Sequence, residues 1–172
     1  MTLINRLAPF PAFFIRRKIF RQKIPLLADF KLTYRCNLAC VACPFHRRVG
    51  EESDHMSWTS AITSLDVLKR LGTLIVVFEG GEPLMWQDGR YNLYDLIDYA
   101  KRHFPRVAVT TNGTFPLNVP ADIIWVSLDG LKESQDRLRS GSFDKVWSNL
   151  QASRHGHLFV HFTINWEIRD DS

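Results

Sequence analysis

The stretch from residue 34 to residue 43 reads Tyr34-Arg35-Cys36-Asn37-Leu38-Ala39-Cys40-Val41-Ala42-Cys43 and holds all three cysteines of the 172-residue chain. Cysteine thiolates are the usual ligands of iron–sulfur clusters. Three thiolates with C-x3-C-x2-C spacing can hold three irons of a cubane [4Fe–4S] cluster and leave the fourth iron open to a small molecule. The cysteine loop, defined as residues 36–43, is therefore the candidate metal site.

Other interpretations of the cysteines differ in strength. An odd number of crowded cysteines without a secretory signal argues against disulfides. Three cysteines in eight residues are also too concentrated to be scattered buried thiols. Zinc is the serious alternative, because His46 follows Cys43 by three positions and completes a Cys3His set.

The composition indicates one folded domain, since 45% of the residues are hydrophobic and 12% are aromatic. No apolar stretch reaches the roughly 20 residues that span a bilayer. Three free cysteines and the lack of a signal peptide predict a cytoplasmic protein.

The positive charge is concentrated in a predicted basic amphipathic leader, residues 1–26. The whole chain carries a net charge of +4, and the part beyond residue 25 carries −2, which argues against a nucleic-acid-binding face. A helix starting near Pro11 packs against the main domain or makes a weak contact with an anionic membrane surface, and both interpretations stay open. The cations of the leader are Arg6, Arg16, Arg17, Lys18, Arg21 and Lys23.

Strand and helix patterns alternate from residue 27 onward, which predicts a parallel α/β sheet with right-handed crossovers. Ser57 and Gly72 are the expected ends of the first of these helices, and Ser142 is the expected cap of the last. The predicted strands are 29–34, 73–79, 107–111, 123–128 and 158–165, and the predicted helices are 58–71, 93–103 and 143–154.

Polar motifs follow the predicted strands at their carboxyl ends, where parallel barrels carry their active sites. The motifs after the second and third strands are also explained by simple turns. On the fourth strand, the period of two places Ser127 and Asp129 on the inner face, with capping of the next loop as the alternative for Asp129. The motifs are Gly80-Gly81-Glu82-Pro83, Thr110-Thr111-Asn112-Gly113 and Ser127-Leu128-Asp129-Gly130.

Together, the cysteine loop and these motifs resemble the radical S-adenosylmethionine (radical SAM) superfamily. The resemblance implies a partial parallel (β/α) barrel of about five strand–helix units behind the basic helical leader. It implies a [4Fe–4S] cluster on Cys36, Cys40 and Cys43, with SAM chelating the open iron. It also implies reductive cleavage of SAM to a 5′-deoxyadenosyl radical that abstracts hydrogen from an unassigned substrate.

The resemblance also implies the residues that hold SAM. Gly80-Gly81-Glu82 matches the family's motif for the amino group of SAM, with Glu79 where the family often has threonine. Ala42 precedes the last cysteine, where the family commonly has an aromatic residue. By the same analogy the pocket includes Asn112, Ser127 and Asn165. Independently of the analogy, His161 is either an acid or base on the substrate side or a hydrogen-bonded structural histidine.

The core domain, residues 27–172, is predicted to be C-terminally incomplete because a sixth strand–helix unit is absent. An apolar fifth strand would leave an unpaired edge, which favours self-association. A reductant such as flavodoxin or ferredoxin is the implied electron donor. Two alternatives remain: a non-catalytic cluster-binding remnant, and a Cys3His zinc-stabilised interaction module.

Overall fold

Five parallel strands form one sheet in the computed structural model, which describes residues 8–43, 45 and 54–164. The strands lie side by side in chain order, as in a (β/α) barrel and unlike a doubly wound sheet, where the order reverses. The fold is therefore α/β with the predicted parallel sheet. The strands are β1 Leu27–Lys31, β2 Ile75–Glu79, β3 Arg106–Thr111, β4 Ile123–Ser127 and β5 Leu158–His161.

Helices connect the strands within the described residues, except between β3 and β4, which a loop without a helix joins. The helices are α1 Pro9–Lys18, α2 Trp58–Leu71, α3 Leu93–Lys101, α4 Lys132–Leu138 and α5 Phe143–Ala152. A 3-10 turn at Pro83–Met85 and a small antiparallel ribbon, Gln87–Asp88 with Tyr91–Asn92, connect β2 to α3.

The core lies between one face of the sheet and the helices. Alternate strand residues such as Phe78, Val109 and Ile124 are fully buried there against helix residues such as Leu65 and Leu96. Burying these apolar side chains is the main stabilising term of the fold. On the opposite face, polar residues near the carboxyl ends of the strands, such as Lys31, Glu79 and Thr110, line a cleft.

Helix α2 begins and ends where the sequence predicts. The Ser57 hydroxyl accepts a hydrogen bond from the amide of Ser60 at 3.1 Å. Gly72 closes the helix with a φ of +86°, a left-handed conformation that favours glycine. Local capping chemistry therefore defines this helix.

Several predicted boundaries differ from the structure by one to four residues, and one predicted cap is replaced. Strand β1 ends at Lys31 instead of residue 34, because Thr33 leaves the sheet to pair with His55. Ser142 makes no side-chain cap at α5; the carboxylate of Asp136 accepts the hydrogen bond from the amide of Phe143 at 2.8 Å.

Helix α1 packs on the domain through Phe13, which is buried against Ile24 and Leu74 next to the amino ends of β1 and β2. The described part of the leader thus lies against the main domain, and its contact with a membrane surface stays a prediction. In the part of the chain that the structure describes, no helix has the length and apolar character to cross a membrane.

Candidate functional site

The three cysteines line a single cleft of about 340 Å³ at the carboxyl ends of the strands. This volume lies in the range of small-molecule sites. All three thiols are half-buried. The cleft gathers most of the site residues predicted from the sequence: Cys36, Cys40, Cys43, Gly80, Gly81, Asn112 and Ser127.

Backbone contacts hold the cysteine loop against helix α4. The amide of Val41 donates to the carbonyl of Leu138 at 3.0 Å, and the amide of Ala39 donates to the hydroxyl of Ser140 at 3.0 Å. Within the loop, the amide of Cys43 donates to the carbonyl of Cys40. These bonds fix the backbone that carries the thiols.

Asn112 reaches the cysteine loop from the end of β3. Its side-chain amide lies 3.5 Å from the sulfur of Cys36 and donates to the side-chain oxygen of Asn37 at 2.9 Å. The backbone amide of Leu38 also donates to the Cys36 sulfur, at 3.4 Å. Cys36 therefore has two N–H donors directed at its thiol.

Burial raises the pKa of the Cys36 and Cys40 thiols, and for Cys40 the nearby Arg139 guanidinium acts in the opposite direction. A metal ligand must be a thiolate, so binding of metal by these residues would release protons. This coupling is expected of a half-buried thiolate site.

The segment before the cysteine loop packs so closely on the motif after β2 that two of its positions must be glycine. A Cβ on Gly80 would lie 2.4 Å from the carbonyl oxygen of Thr33, and one on Gly81 would lie 2.4 Å from that of Arg35. The amide of Gly81 donates to the Thr33 oxygen at 2.6 Å, and that of Glu82 donates to the Arg35 oxygen at 2.9 Å. The glycines let the chain before the cysteine loop lie directly on the end of β2.

Glu82 differs from the sequence-based expectation, in which its carboxylate faces the ligand. The residue is fully buried and is not among those lining the cleft. Its carboxylate accepts hydrogen bonds from the Thr111 hydroxyl at 2.8 Å, the Asn112 amide at 2.8 Å and the Leu84 amide at 3.2 Å. Burial raises the pKa of Glu82 to about 7 despite these donors.

The position of Ser127 on the cleft side of β4 agrees with the predicted alternation. Asp129 also lines the cleft, where its carboxylate accepts from the Arg139 guanidinium at 2.6 Å and from the amide of Thr163 at 3.0 Å. These contacts favour the inner-face interpretation of Asp129 over the alternative in which it caps the next loop. Sequence reasoning missed Arg139, the residue that follows α4, although an inward aspartate with an arginine ten residues later was the available signal.

Glu79 and Lys31 face the cleft as an ion pair, with 2.6 Å between the Lys31 Nζ and a Glu79 carboxylate oxygen. The Lys31 ammonium also lies 4.5 Å from the centre of the Phe45 ring, which lines the cleft. His161 is exposed on β5 and does not line the cleft.

Three half-buried thiols that line one cleft are a donor set of the kind that binds the irons of a cluster. Among residues 8–43, 45 and 54–164, no three His, Cys, Asp or Glu side chains converge enough to hold one metal ion. A cubane needs no such convergence, because each of its irons takes a separate thiolate. His46 and Asn165, predicted for the zinc and SAM sites, lie outside the described residues.

Comparison with known protein families gives a match over most of the chain. The sequence model of the radical SAM superfamily matches residues 30–165.

Curated relatives cover different amounts of the chain. The Fe-coproporphyrin III synthase of Methanosarcina barkeri is 31% identical over 163 residues, which is 87% of this chain and 40% of that protein. The mycofactocin maturase MftC of Mycobacterium tuberculosis is 31% identical over 140 residues, 74% of this chain and 34% of that protein. The chain thus spans about two fifths or less of the length of these relatives.

Solved structures share the fold. The structure of histidine-tagged anSMEcpe with bound AdoMet superimposes with a TM-score of 0.60 at 20% identity, over 80% of this chain and 42% of that one. Streptococcus suis SuiB bound to S-adenosylmethionine gives a TM-score of 0.53 at 19% identity, over 76% of this chain and 32% of that one.

Proposed function

The chain belongs to the radical SAM superfamily, whose members bind a [4Fe–4S] cluster and SAM, and from this premise we propose that it is an enzyme of SAM-dependent radical chemistry. Cys36, Cys40 and Cys43 would hold the cluster. When bound, the cluster supplies the electron that cleaves SAM to methionine and a 5′-deoxyadenosyl radical for hydrogen abstraction. The observation that carries this proposal is the meeting of all three thiols with Gly80 and Gly81 in one cleft.

The cleft has groups suited to the charged end of an amino acid. The backbone of Gly80 and Gly81 lines it, and backbone carbonyls accept hydrogen bonds from an ammonium group. Ser127 and Arg139 offer a hydroxyl and a guanidinium to a carboxylate on the opposite side. We propose these residues for the methionyl part of SAM, and Asn165 stays a prediction by family analogy.

Glu82 has a different proposed role from the one that the family motif implies. Because three donors already occupy its carboxylate, it would orient Asn112 and the end of β3. Asn112 in turn contacts the Cys36 sulfur. Glu82 is thus a positioning residue for the cysteine loop.

Phe45 lines the cleft with an aromatic ring. Ala42, at the position where the family commonly has an aromatic residue, has no ring. The Phe45 ring stacks on Tyr34 with 5.6 Å between ring centres. A flat heteroaromatic base binds well against such a ring. We propose that Phe45 packs against the adenine of SAM, so Phe45→Ala should weaken SAM binding in calorimetry while the iron content stays unchanged.

Anaerobic reconstitution followed by electron paramagnetic resonance tests the main proposal. We expect a reduced [4Fe–4S] signal that changes when SAM is added, and 5′-deoxyadenosine formed in the presence of dithionite. Cys36→Ala, Cys40→Ala and Cys43→Ala should each abolish the signal, whereas His46→Ala should leave it.

Other results would favour the alternatives. A SAM-sensitive signal without 5′-deoxyadenosine would indicate a cluster-binding protein without turnover. Bound zinc that His46→Ala removes would indicate the Cys3His module and overturn the proposal. The substrate and the electron donor, for which flavodoxin and ferredoxin are candidates, would be identified only after the first result.

A further inference from the structure

Helix α1 has large apolar side chains on two sides. Phe13 is 3% exposed and fastens the helix to the domain. On the other side and just beyond the helix, Phe14, Ile15, Ile19 and Phe20 are 49%, 48%, 70% and 66% exposed. Four large apolar side chains exposed within seven residues indicate a surface that binds a partner.

Positive charge surrounds this patch. Arg16, Arg17 and Lys18 occupy the last turn of α1, and Arg21 and Lys23 follow it. The chain contains no aspartate or glutamate before residue 29. The patch therefore combines exposed aromatic and aliphatic side chains with positive charges, and no acidic residue lies in the same stretch of sequence.

A second copy of the chain is a poor occupant for this surface. In a symmetric dimer the same patch faces itself, so the cations of the two copies would be brought together and would repel. An anionic lipid surface matches both parts of the patch: its headgroups attract the cations, and its interfacial region accepts the apolar side chains.

We propose that the α1 patch, formed by Phe14, Ile15, Lys18, Ile19 and Phe20, docks on an anionic lipid bilayer. The helix would lie in the plane of the interface, with Phe13 still buried in the protein. This inference is independent of the chemistry in the cleft, since it uses none of the residues that line the cleft.

The position of α1 defines the orientation of the docked protein. Its anchor residues Ile24 and Leu74 lie next to the amino ends of β1 and β2, whereas the cleft is at the carboxyl ends. The cleft would then open away from the lipid, so its substrate would enter from the aqueous side.

Co-flotation of the full chain with lipid vesicles tests the proposal. We expect binding to vesicles of phosphatidylcholine mixed with phosphatidylglycerol, and binding at least about tenfold weaker to phosphatidylcholine alone. The binding should weaken as salt is added, because salt screens the attraction between exposed charges.

Variants distinguish binding through the α1 patch from nonspecific hydrophobic binding to vesicles. Ile15→Ser/Ile19→Ser/Phe20→Ser should reduce binding at least about tenfold without lowering the melting temperature, because all three side chains are exposed. Trp147→Ser, which removes a 47% exposed aromatic from α5, is the matched control and should bind like the wild type.

Three results would overturn the proposal. They are equal binding to neutral and anionic vesicles, full binding by the triple variant, and a dimer in gel filtration that the triple variant abolishes. The last result would assign the patch to a second copy of the chain.

Discussion

Asn112 is a single side chain that can tune the proposed cluster, because N–H donors to a cluster sulfur stabilise the more negative, reduced form. If its bond to Cys36 is worth about 1 kcal/mol more in the reduced form, a one-electron potential shifts by about 40 mV. We expect Asn112→Leu to lower the midpoint potential by about this amount, measured by redox titration monitored with electron paramagnetic resonance.

Asn149→Leu is the matched control for this prediction. Asn149 donates its side-chain amide to the carbonyl of Gly113 and does not line the cleft. Its variant should keep the wild-type potential. Equal potentials for Asn112→Leu and the wild type would show that the amide does not act on the cluster.

Glu82 makes stability depend on pH in a defined direction. Its pKa of about 7 in the folded protein lies above the usual 4.5, so the folded state holds the proton more tightly than the unfolded state. This tighter proton binding by Glu82 stabilises the folded state fully below pH 4.5, and the stabilisation is lost as the pH rises to about 7. Over this range we expect the wild type to lose about 3 kcal/mol of unfolding free energy relative to Glu82→Gln.

Urea denaturation at a series of pH values measures this difference. Glu133→Gln changes an exposed glutamate on α4 and should track the wild type at every pH. Parallel curves for the wild type and Glu82→Gln would contradict a raised pKa for the buried carboxyl.

At the scale of elements, the junction between β2 and the chain before the cysteine loop depends on the absence of a side chain. A methyl group at residue 81 would meet two backbone carbonyls, at 2.4 and 2.6 Å, and backbone cannot move aside as a flexible side chain can. We expect Gly81→Ala to cost about 3 kcal/mol of stability and to lower the iron bound per chain after reconstitution.

Gly156→Ala is the control at this scale, because a Cβ there meets nothing within 4 Å. It should change the unfolding free energy by less than about 0.5 kcal/mol and leave the iron content unchanged. A Gly81→Ala protein as stable as the wild type would mean that the chain before the loop can shift without cost.

Helices whose ends are marked by capping residues were predictable from the sequence. Helices that depend on packing against distant parts of the chain were not. Ser57 and Gly72 give both ends of α2 by capping chemistry alone. Helix α4 was missed because its buried side is polar: Gln135 is fully buried and accepts from the amide of Asp129 at 2.8 Å. A hydrophobic pattern cannot indicate such a helix.

The same distinction applies to the site. Spacing identified the cysteines, and strand ends identified Gly80, Asn112 and Ser127. The pairing of Asp129 with Arg139 depends on how α4 packs beside β4, which no local pattern contains. The buried orientation of Glu82 likewise depends on three donors, two of which come from another strand end.

At the scale of the whole molecule, β5 is an edge strand of the sheet. Among the described residues no strand pairs with its outer edge. Val160 of β5 is 49% exposed, and Phe162 and Ile164, which follow the strand, are 48% and 84% exposed. Unpaired apolar edges promote association. We expect the 172-residue chain to associate as its concentration rises, and Phe162→Lys/Ile164→Lys to suppress this.

Sedimentation velocity over a range of concentrations measures the association. Leu71→Lys, at a 47% exposed position on α2, adds a charge away from β5 and should leave the association unchanged. If both charge variants behaved alike, net charge rather than the strand edge would be responsible.

The hydrogen bonds that hold the cysteine loop have a consequence for the lifetime of the protein. The loop is fastened at Ala39 and Val41, and the chain before it is fastened to Gly81, by bonds that involve no thiol. If oxygen removed iron from the proposed cluster, the backbone of the cysteine loop would therefore keep its conformation. Repair would need only fresh iron, sulfide and reduced thiols, without a new round of folding.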